Sequence, residues 1–324
     1  MRNAFASEIC AQAMTDSRIV LLSGDIGNRL FDPLKGRCPD QFLNCGVAEA
    51  NMVGVAAGLA LSGCRPVVYT IAPFITARCL EQVRIDLCYH DLPVLLVGTG
   101  AGLAYASLGP THHSCEDIAW LRTLPNLAVV CPADPVEVRL AVRAALHRRG
   151  PTYLRLGKKG EPAIHQRPPA FVIGEVITVR EGNAACIVST GNMLAAAVEA
   201  ADILARAGMR CRVASCHTVK PLDVDFLADA FDQCPLVVTV EEHSRIGGLG
   251  SAVAEWRADQ EGPLARLERI GTDDRFMHLA GDQAFAREQA CLHPYQLARR
   301  IADRLGRAAE LVAIQPAPPG GVPA

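Results

Sequence analysis

One glutamate stands at the start of a segment whose other residues are nearly all small and apolar. Glu49 lies within Asn44–Ala60, and no basic residue occurs within four positions of it on either side. The helix dipole favours a carboxylate in a first turn, so a solvated helix-terminal glutamate is one interpretation. The other is that close packing desolvates Glu49 and lets it share a proton with a ligand nitrogen. The small neighbours that would allow such packing are Ala48, Ala50, Gly54, Ala57 and Gly58.

Two other pairs of side chains could line a binding site. Phe74 and Arg78 occur in a run that is predicted to leave a strand and open a helix, which would place them on one helix face. The plain interpretation is a core phenylalanine and a surface ion pair. His112 and His113 are adjacent in a Gly-Pro-containing loop, and adjacent side chains diverge too far to make good metal ligands. We therefore predict no metal site at this histidine pair.

Length and charge limit the possible functions. The chain has 324 residues, 32 Lys and Arg against 34 Asp and Glu, and a formal charge of −2. This length predicts two domains, and the balanced charge without a basic run argues against nucleic-acid or membrane-surface binding. No apolar stretch reaches the roughly 18 to 20 residues of a spanning helix, so we expect a soluble cytoplasmic protein. The 13 cysteines form no C-x-x-C pair, which predicts reduced, mostly buried thiols.

The elements that would position these residues follow an alternating pattern. Short β-branched runs are each followed by a segment of helical periodicity, which predicts an α/β fold with parallel sheets flanked by helices. A Pro- and Gly-rich segment after Gly157 predicts a linker, and the Pro-rich end of the chain predicts a disordered tail. The predicted divisions are a first domain at 1–157, a linker at 158–171, a second domain at 172–308 and a tail at 309–324.

Four ordered motifs resemble the transketolase family, especially split transketolases made from two polypeptides. The resemblance covers residues 3–305 and implies a pyrimidine-binding domain at 1–157 and a transketolase C-terminal domain at 172–308. The motifs are Cys45–Ala60, Gly109–His113 with Glu116–Ala119, Leu121–Asn126 with Pro132–Asp134, and Glu241–Ser251.

The resemblance also implies a missing half. The family's diphosphate-binding domain, with a Gly-Asp-Gly turn that holds magnesium, would precede residue 1, and the turn beginning at Gly24-Asp25 lacks the second glycine. The chain is therefore expected to need an N-terminal, diphosphate-binding partner subunit, in an α2β2 heterotetramer. Thiamine diphosphate with Mg²⁺ would bind between the two chains, with its diphosphate and metal held by the partner.

Site residues are implied by the same resemblance. Glu49 would hydrogen-bond the aminopyrimidine ring of thiamine diphosphate and activate the cofactor. Phe74 would pack on that ring, with Arg78 near the site as a basic residue. His112 would contact the donor's oxygen atoms and assist proton transfer. His113, at a position where the family commonly has glutamine, would also face the substrate.

Departures from the family pattern bear on the substrate. Leu108 stands where the family's sugar-phosphate enzymes usually carry an aspartate, and Cys131 where many carry an arginine that holds the acceptor phosphate. Gly100 stands where a histidine is expected after Thr99. Because none of the three can make the lost polar contact, a less polar or unphosphorylated donor or acceptor is predicted.

Two glycine-rich turns could bind anions. Gly247–Gly250 follows a strand and opens a predicted helix, so it could hold an anion, although a tight turn with close backbone packing is the favoured interpretation. Gly98–Gly102 lacks the third glycine of a dinucleotide fingerprint because Leu103 occupies its place. A nicotinamide site is therefore not expected.

The predicted function is transfer of a two-carbon ketol unit from a ketose donor to an aldehyde-like acceptor, with a split transketolase-type enzyme as catalyst. One alternative is a β-type subunit of a 2-oxo acid dehydrogenase, or a relative that delivers a hydroxyacetyl group to a carrier protein. A second alternative is a scaffold subunit without catalytic activity. Retention of Glu49, Phe74 and His112 together argues against a scaffold.

Overall fold

A computed structural model describes residues 1–27 and 29–312. The helices are α1 (Arg2–Ala13), α2 (Asp32–Arg37), α3 (Glu49–Leu61), α4 (Ala72–Ile75), α5 (Leu80–Gln82), α6 (Asp117–Arg122), α7 (Pro135–His147), α8 (Leu194–Arg206), α9 (Val224–Gln233), α10 (Leu249–Ala258), α11 (Gln283–Gln289), α12 (Pro294–Leu305) and α13 (Ala308–Val312). The strands are β1 (Ile19–Ser23), β2 (Phe42–Asn44), β3 (Arg65–Ile71), β4 (Leu95–Thr99), β5 (Ala128–Val130), β6 (Thr152–Leu156), β7 (Ile177–Arg180), β8 (Cys186–Ser189), β9 (Arg212–Ser215), β10 (Thr218–Lys220), β11 (Leu236–Ser244) and β12 (Arg266–Thr272). A π-helical turn, Val83–Tyr89, follows α5 directly.

The first domain is built on a seven-stranded sheet in the order β10-β5-β6-β4-β3-β1-β2. The strands that this domain itself supplies all pair in parallel. Strands β3 and β4 are buried on both faces along most of their length, which explains why their sequences are nearly continuous runs of apolar residues. The loops that follow β3 and β4 leave the sheet at its carboxyl edge, and they carry the candidate site.

The second domain has a five-stranded sheet in the order β12-β11-β8-β9-β7. Its pairings are parallel except for β7 against β9, which is antiparallel. The small buried residues of α8 pack with those of α12 and with the sheet to form this domain's core. The predicted fold of two domains, each a mainly parallel sheet flanked by helices, is confirmed.

One strand crosses between the domains. β10 follows β9 in the second domain, yet it pairs antiparallel with β5 at the edge of the first sheet. A single apolar cluster also joins the two, since Leu121 of α6 shares it with Phe231 of α9 and Val253 of α10. The two halves of the chain are therefore packed as one continuous structure rather than as two separate bodies.

A buried polar network reinforces this junction. The Asp117 carboxylate accepts hydrogen bonds from the Tyr153 hydroxyl at 2.7 Å and from Arg155 Nε at 2.8 Å. Arg155 Nη2 also donates to the backbone oxygens of Ser114 and Glu242, so the guanidinium reaches into the second domain. Because its charge is paired and several of its N–H groups donate, Arg155 can be buried without an unpaired charge.

The linker is tied to the first domain. Asp134 caps α7 by accepting from the backbone N–H groups of Val136 and Glu137, and its second oxygen accepts from those of Ile164 and His165. The Pro-Ala-Asp motif that the sequence contains at this point thus supplies a helix cap and an anchor for the linker.

The end of the chain departs from prediction at its beginning. Residues 308–312 form α13, although a disordered tail was predicted from residue 309. The rest of the predicted tail, 313–324, lies outside the described residues. No helix in the described ranges is both long and apolar enough to cross a bilayer.

Candidate active site

Glu49 is the first residue of α3, and its side chain is only 2% exposed. It follows β2 at the carboxyl edge of the first sheet, where several loops converge. Its Oε2 accepts a hydrogen bond from Arg78 Nη1 at 2.7 Å. The carboxylate is thus desolvated and paired with a cation that lies 29 positions away in the sequence. This partner was not visible from the absence of basic residues close to Glu49.

Phe74 and Arg78 lie together, but not for the predicted reason. The expected helix is interrupted, because α4 ends at Ile75 and residues 76–79 form turns. Thr76 Oγ1 and Cys79 Sγ donate to the backbone oxygens of Ala72 and Phe74, which replaces the regular helical pattern. The turns still bring the Arg78 guanidinium carbon within 4.4 Å of the centre of the Phe74 ring.

His112 completes the cluster from the loop after β4. Its ring meets the ring of Phe74 edge to face, with 5.4 Å between the centroids. Thr111 Oγ1 lies 2.9 Å from His112 Nδ1, which leaves Nε2 as the nitrogen free for a ligand. Glu49, Arg78, Phe74 and His112 therefore form one continuous row along the carboxyl edge of the sheet.

Two residues that the sequence reasoning missed extend this row. Tyr105 lies beside His112, with 6.1 Å between the ring centroids, and Lys158 Nζ lies 4.3 Å from the centre of the Tyr105 ring. Arg2 Nε donates to the backbone oxygen of Lys158 at 2.7 Å, which adds a second cation nearby. Lys158 falls in a segment that its Gly and Pro content marked only as a linker, so no local signal pointed to the site.

The remaining predicted substrate residues lie apart from the row. His113 lines a cavity of about 610 Å³ together with Leu103, Glu116 and the segment 272–279 of the second domain. Burial lowers the pKa of His113 below its usual value. Leu108 is half exposed, and Cys131 is fully buried at the end of β5. A substrate contact for His113 and Leu108 stays a prediction.

The thiol nearest the row is not a nucleophile. Burial, with a smaller contribution from the Glu49 carboxylate, raises the pKa of Cys79 to about 12. A thiol with such a pKa is almost wholly protonated at neutral pH. All 13 cysteines are free, as predicted, and nine of them are buried.

The glycine turn before α10 holds an internal anion. The Glu241 carboxylate accepts from the backbone N–H groups of Leu249 at 2.7 Å and Gly250 at 2.9 Å. A Cβ at Gly248 would lie 2.0 Å from Glu241 Oε2, so only glycine fits there. The favoured interpretation as a tight turn agrees with this packing, since the turn's donors are occupied by the protein itself.

Comparison with known proteins identifies the relatives. Residues 1–161 match the transketolase pyrimidine-binding domain, and residues 174–288 match the transketolase C-terminal domain.

The chain belongs to the transketolase family.

Three relatives carry most information about this transketolase-family chain. One of the two subunits of the apulose-4-phosphate transketolase of Actinobacillus succinogenes is 38% identical over 77% of this chain and 80% of its own length. The 6-deoxy-6-sulfo-D-fructose transketolase subunit SqwH of Clostridium sp. is 35% identical over 85% of both chains. A solved structure described as a split gene transketolase, inactive beta4 tetramer, is 34% identical with a TM-score of 0.84, covering 95% of this chain and 98% of that one.

These matches confirm the predicted family and the correspondence to the C-terminal subunit of a split, transketolase-type transferase. The residues of the row in this transketolase-family chain also fit one side of an aminopyrimidine. Glu49 offers a desolvated carboxylate, and the Phe74 ring offers an aromatic face next to it. Among the described residues, no group of three His, Cys, Asp or Glu side chains is placed to hold a metal ion.

Proposed function

We propose that this chain is the C-terminal subunit of a thiamine-diphosphate-dependent enzyme that transfers a two-carbon ketol unit from a ketose to an aldehyde. The observation that carries the proposal is the row Glu49, Phe74 and His112, in which a buried carboxylate, an aromatic ring and a histidine adjoin at one sheet edge. When bound, thiamine diphosphate supplies a nucleophilic carbon and an electron sink for the cleaved carbon–carbon bond.

Each residue of the row has a separate task. Glu49 shares a proton with a ring nitrogen of the aminopyrimidine, because a carboxylate shielded from water is a strong hydrogen-bond partner there. Phe74 packs on the ring, and Arg78 balances the buried charge of Glu49. His112 holds or moves a proton at the donor's oxygen atoms through its free nitrogen.

The partner subunit is proposed to supply what this chain lacks. It would hold the diphosphate and Mg²⁺, in an α2β2 assembly. Support comes from an apolar face on α3 and the π-helical turn, where exposed glycines leave room for close approach of another chain. The exposed residues of this face are Val47, Gly54, Gly58, Leu61 and Tyr89. Thirteen free thiols fit a reducing compartment, so we place the complex in the cytoplasm.

The substrate is proposed to be a ketose with an anionic end. Two of the relatives are named for apulose-4-phosphate and for 6-deoxy-6-sulfo-D-fructose, and both of these sugars end in an anion. In this chain, Lys158 and Arg2 lie next to Tyr105 and His112. These cations replace contacts that Leu108, Cys131 and Gly100 cannot make, so the sequence-based preference for an unphosphorylated substrate gives way to an anionic one.

The proposal is tested by calorimetric titration of thiamine diphosphate and Mg²⁺ into this chain, alone and with its partner subunit. We expect tight binding only in the presence of the partner. In that complex, Glu49→Gln should lower kcat by at least about a hundredfold, the usual worth of a positioned proton-transfer group. Glu199→Gln, which changes an exposed glutamate on α8, is the matched control and should keep wild-type turnover. Full activity of the Glu49→Gln complex would refute the proposal.

A further inference from the structure

A missing side chain and a bulky ring occupy the same place beside the row. Gly100 follows β4 with φ +74°, and a Cβ built on it would lie 1.9 Å from Cε2 of Tyr105. Any side chain at position 100 would therefore displace the tyrosine ring. The absence of a side chain at Gly100 and the presence of Tyr105 are two parts of one arrangement, in which the ring fills the vacated volume.

The Tyr105 ring touches both a histidine of the row and a cation. One neighbour is His112, and the other is Lys158, whose ammonium lies within cation–π distance of the ring. The ring thus fixes how far the ammonium stands from His112. Since a lysine side chain is long and flexible, it gains most from a neighbour that restricts its position.

Lys158 has no anionic partner in the described part of the chain. It forms no ion pair there, and the nearest carboxylate in sequence, Glu161, binds the amino terminus at 3.0 Å. Burial lowers the pKa of Lys158, and the neighbouring cations Arg2 and Lys159 lower it further. This surplus of positive charge favours an anion next to the ammonium.

We propose that Tyr105 is a specificity-determining residue, which holds the Lys158 ammonium beside His112 so that the site selects ketoses ending in a phosphate or sulfonate. The inference rests on the proposed ketol transfer. It adds that the selection depends on the ring and not on the phenol hydroxyl, because the ring makes both contacts.

The test compares Tyr105→Leu, Tyr105→Phe and Lys158→Gln in complex with the partner subunit. The readout is the ratio of kcat/KM for a ketose phosphate to kcat/KM for the same unphosphorylated ketose. We expect the ratio to fall about tenfold in Tyr105→Leu and in Lys158→Gln, chiefly through KM of the phosphate ester. Tyr105→Phe should keep the ratio within about twofold, because a phenyl ring still attracts the ammonium. Lys159→Gln removes the same charge from an exposed neighbour and serves as control.

An unchanged ratio in Tyr105→Leu would overturn the inference, even where both activities fall, because loss of packing alone affects the two ketoses equally. A wild-type complex that turns over neither ketose would contradict the proposed function instead. The inference is then decided by titrating inorganic phosphate into the chain and following calorimetric heat. Binding that Lys158→Gln abolishes and Tyr105→Leu weakens supports it, and binding equal in all variants, or none in wild type, overturns it.

Discussion

At the scale of single residues, the pairing of Glu49 with Arg78 carries most consequence. The carboxylate is buried, whereas the guanidinium is half exposed, so the two partners lose unequal amounts of hydration. The pair explains how a glutamate without nearby basic residues in the sequence can be desolvated in the fold. It also implies that the carboxylate is held in a fixed position before any ligand arrives.

We predict that Arg78→Met lowers the free energy of unfolding by about 1 to 2 kcal/mol, because it leaves a buried carboxylate without its counter-charge. Urea denaturation of the two proteins gives this difference. In the double variant Glu49→Gln/Arg78→Met, most of the loss should disappear, since a neutral amide needs no cation. An equal loss in the single and double variants would show that Arg78 acts through packing on Phe74.

A second residue-scale prediction concerns acid stability. Burial lowers the pKa of His243 to about 4, and its Nε2 accepts from the backbone N–H of Ala119. The unfolded chain then binds more protons than the folded one between pH 6.5 and 4, so stability is lost as pH falls through this range. We expect a loss of about 3 kcal/mol that His243→Gln lacks.

The measurement is the difference in unfolding free energy between wild type and His243→Gln at each pH. Burial also raises the pKa of Glu241 to about 7, which acts with the opposite sign, since an ionised Glu241 destabilises the folded chain as pH rises. Because Glu241 is present in both proteins, the difference isolates His243. A difference that does not change with pH would contradict the assignment.

At the scale of elements, the sequence predicted the sheets well and the loops poorly. The β-branched runs at Ile19–Leu22 and Leu236–Glu241 both became strands, because a strand buried on both faces needs such residues along its length. The helix after Tyr69 was wrongly predicted as continuous, since the side-chain hydrogen bonds of Thr76 and Cys79 compete with helical ones. Periodicity cannot register competition of this kind, nor can it show that Lys158 returns to the site.

One helix cap predicts how the linker behaves. We expect Asp134→Ala to lower stability by about 2 kcal/mol, at the upper end for a lost cap, because four backbone N–H groups lose their acceptor. Trypsin should also cleave after Lys158 and Lys159 about tenfold faster, since the released linker opens locally. Asp282→Ala removes a cap from α11 that does not touch the linker, so it should destabilise without faster cleavage there.

At the scale of the whole molecule, the domains share a core, a strand and the Asp117–Arg155 network. We therefore predict that calorimetry of the chain shows one cooperative unfolding transition, with equal calorimetric and van't Hoff enthalpies. Two resolved transitions would mean that the junction contributes little to stability. The motifs carry no sign of this coupling, because a three-residue strand such as β10 has no pattern of its own that reveals its partner.

Strand β10 also bears on synthesis of the protein. Until it arrives, the edge of β5 presents unpaired backbone groups, which are a template for pairing with other chains. A ribosome adds about 5 to 20 residues per second, and about 60 residues separate β6 from the end of β10, so this edge stays open for roughly 3 to 12 seconds. The nascent chain thus passes through a stage in which its first sheet is nearly complete and still adhesive, and it is then that we expect a chaperone to bind.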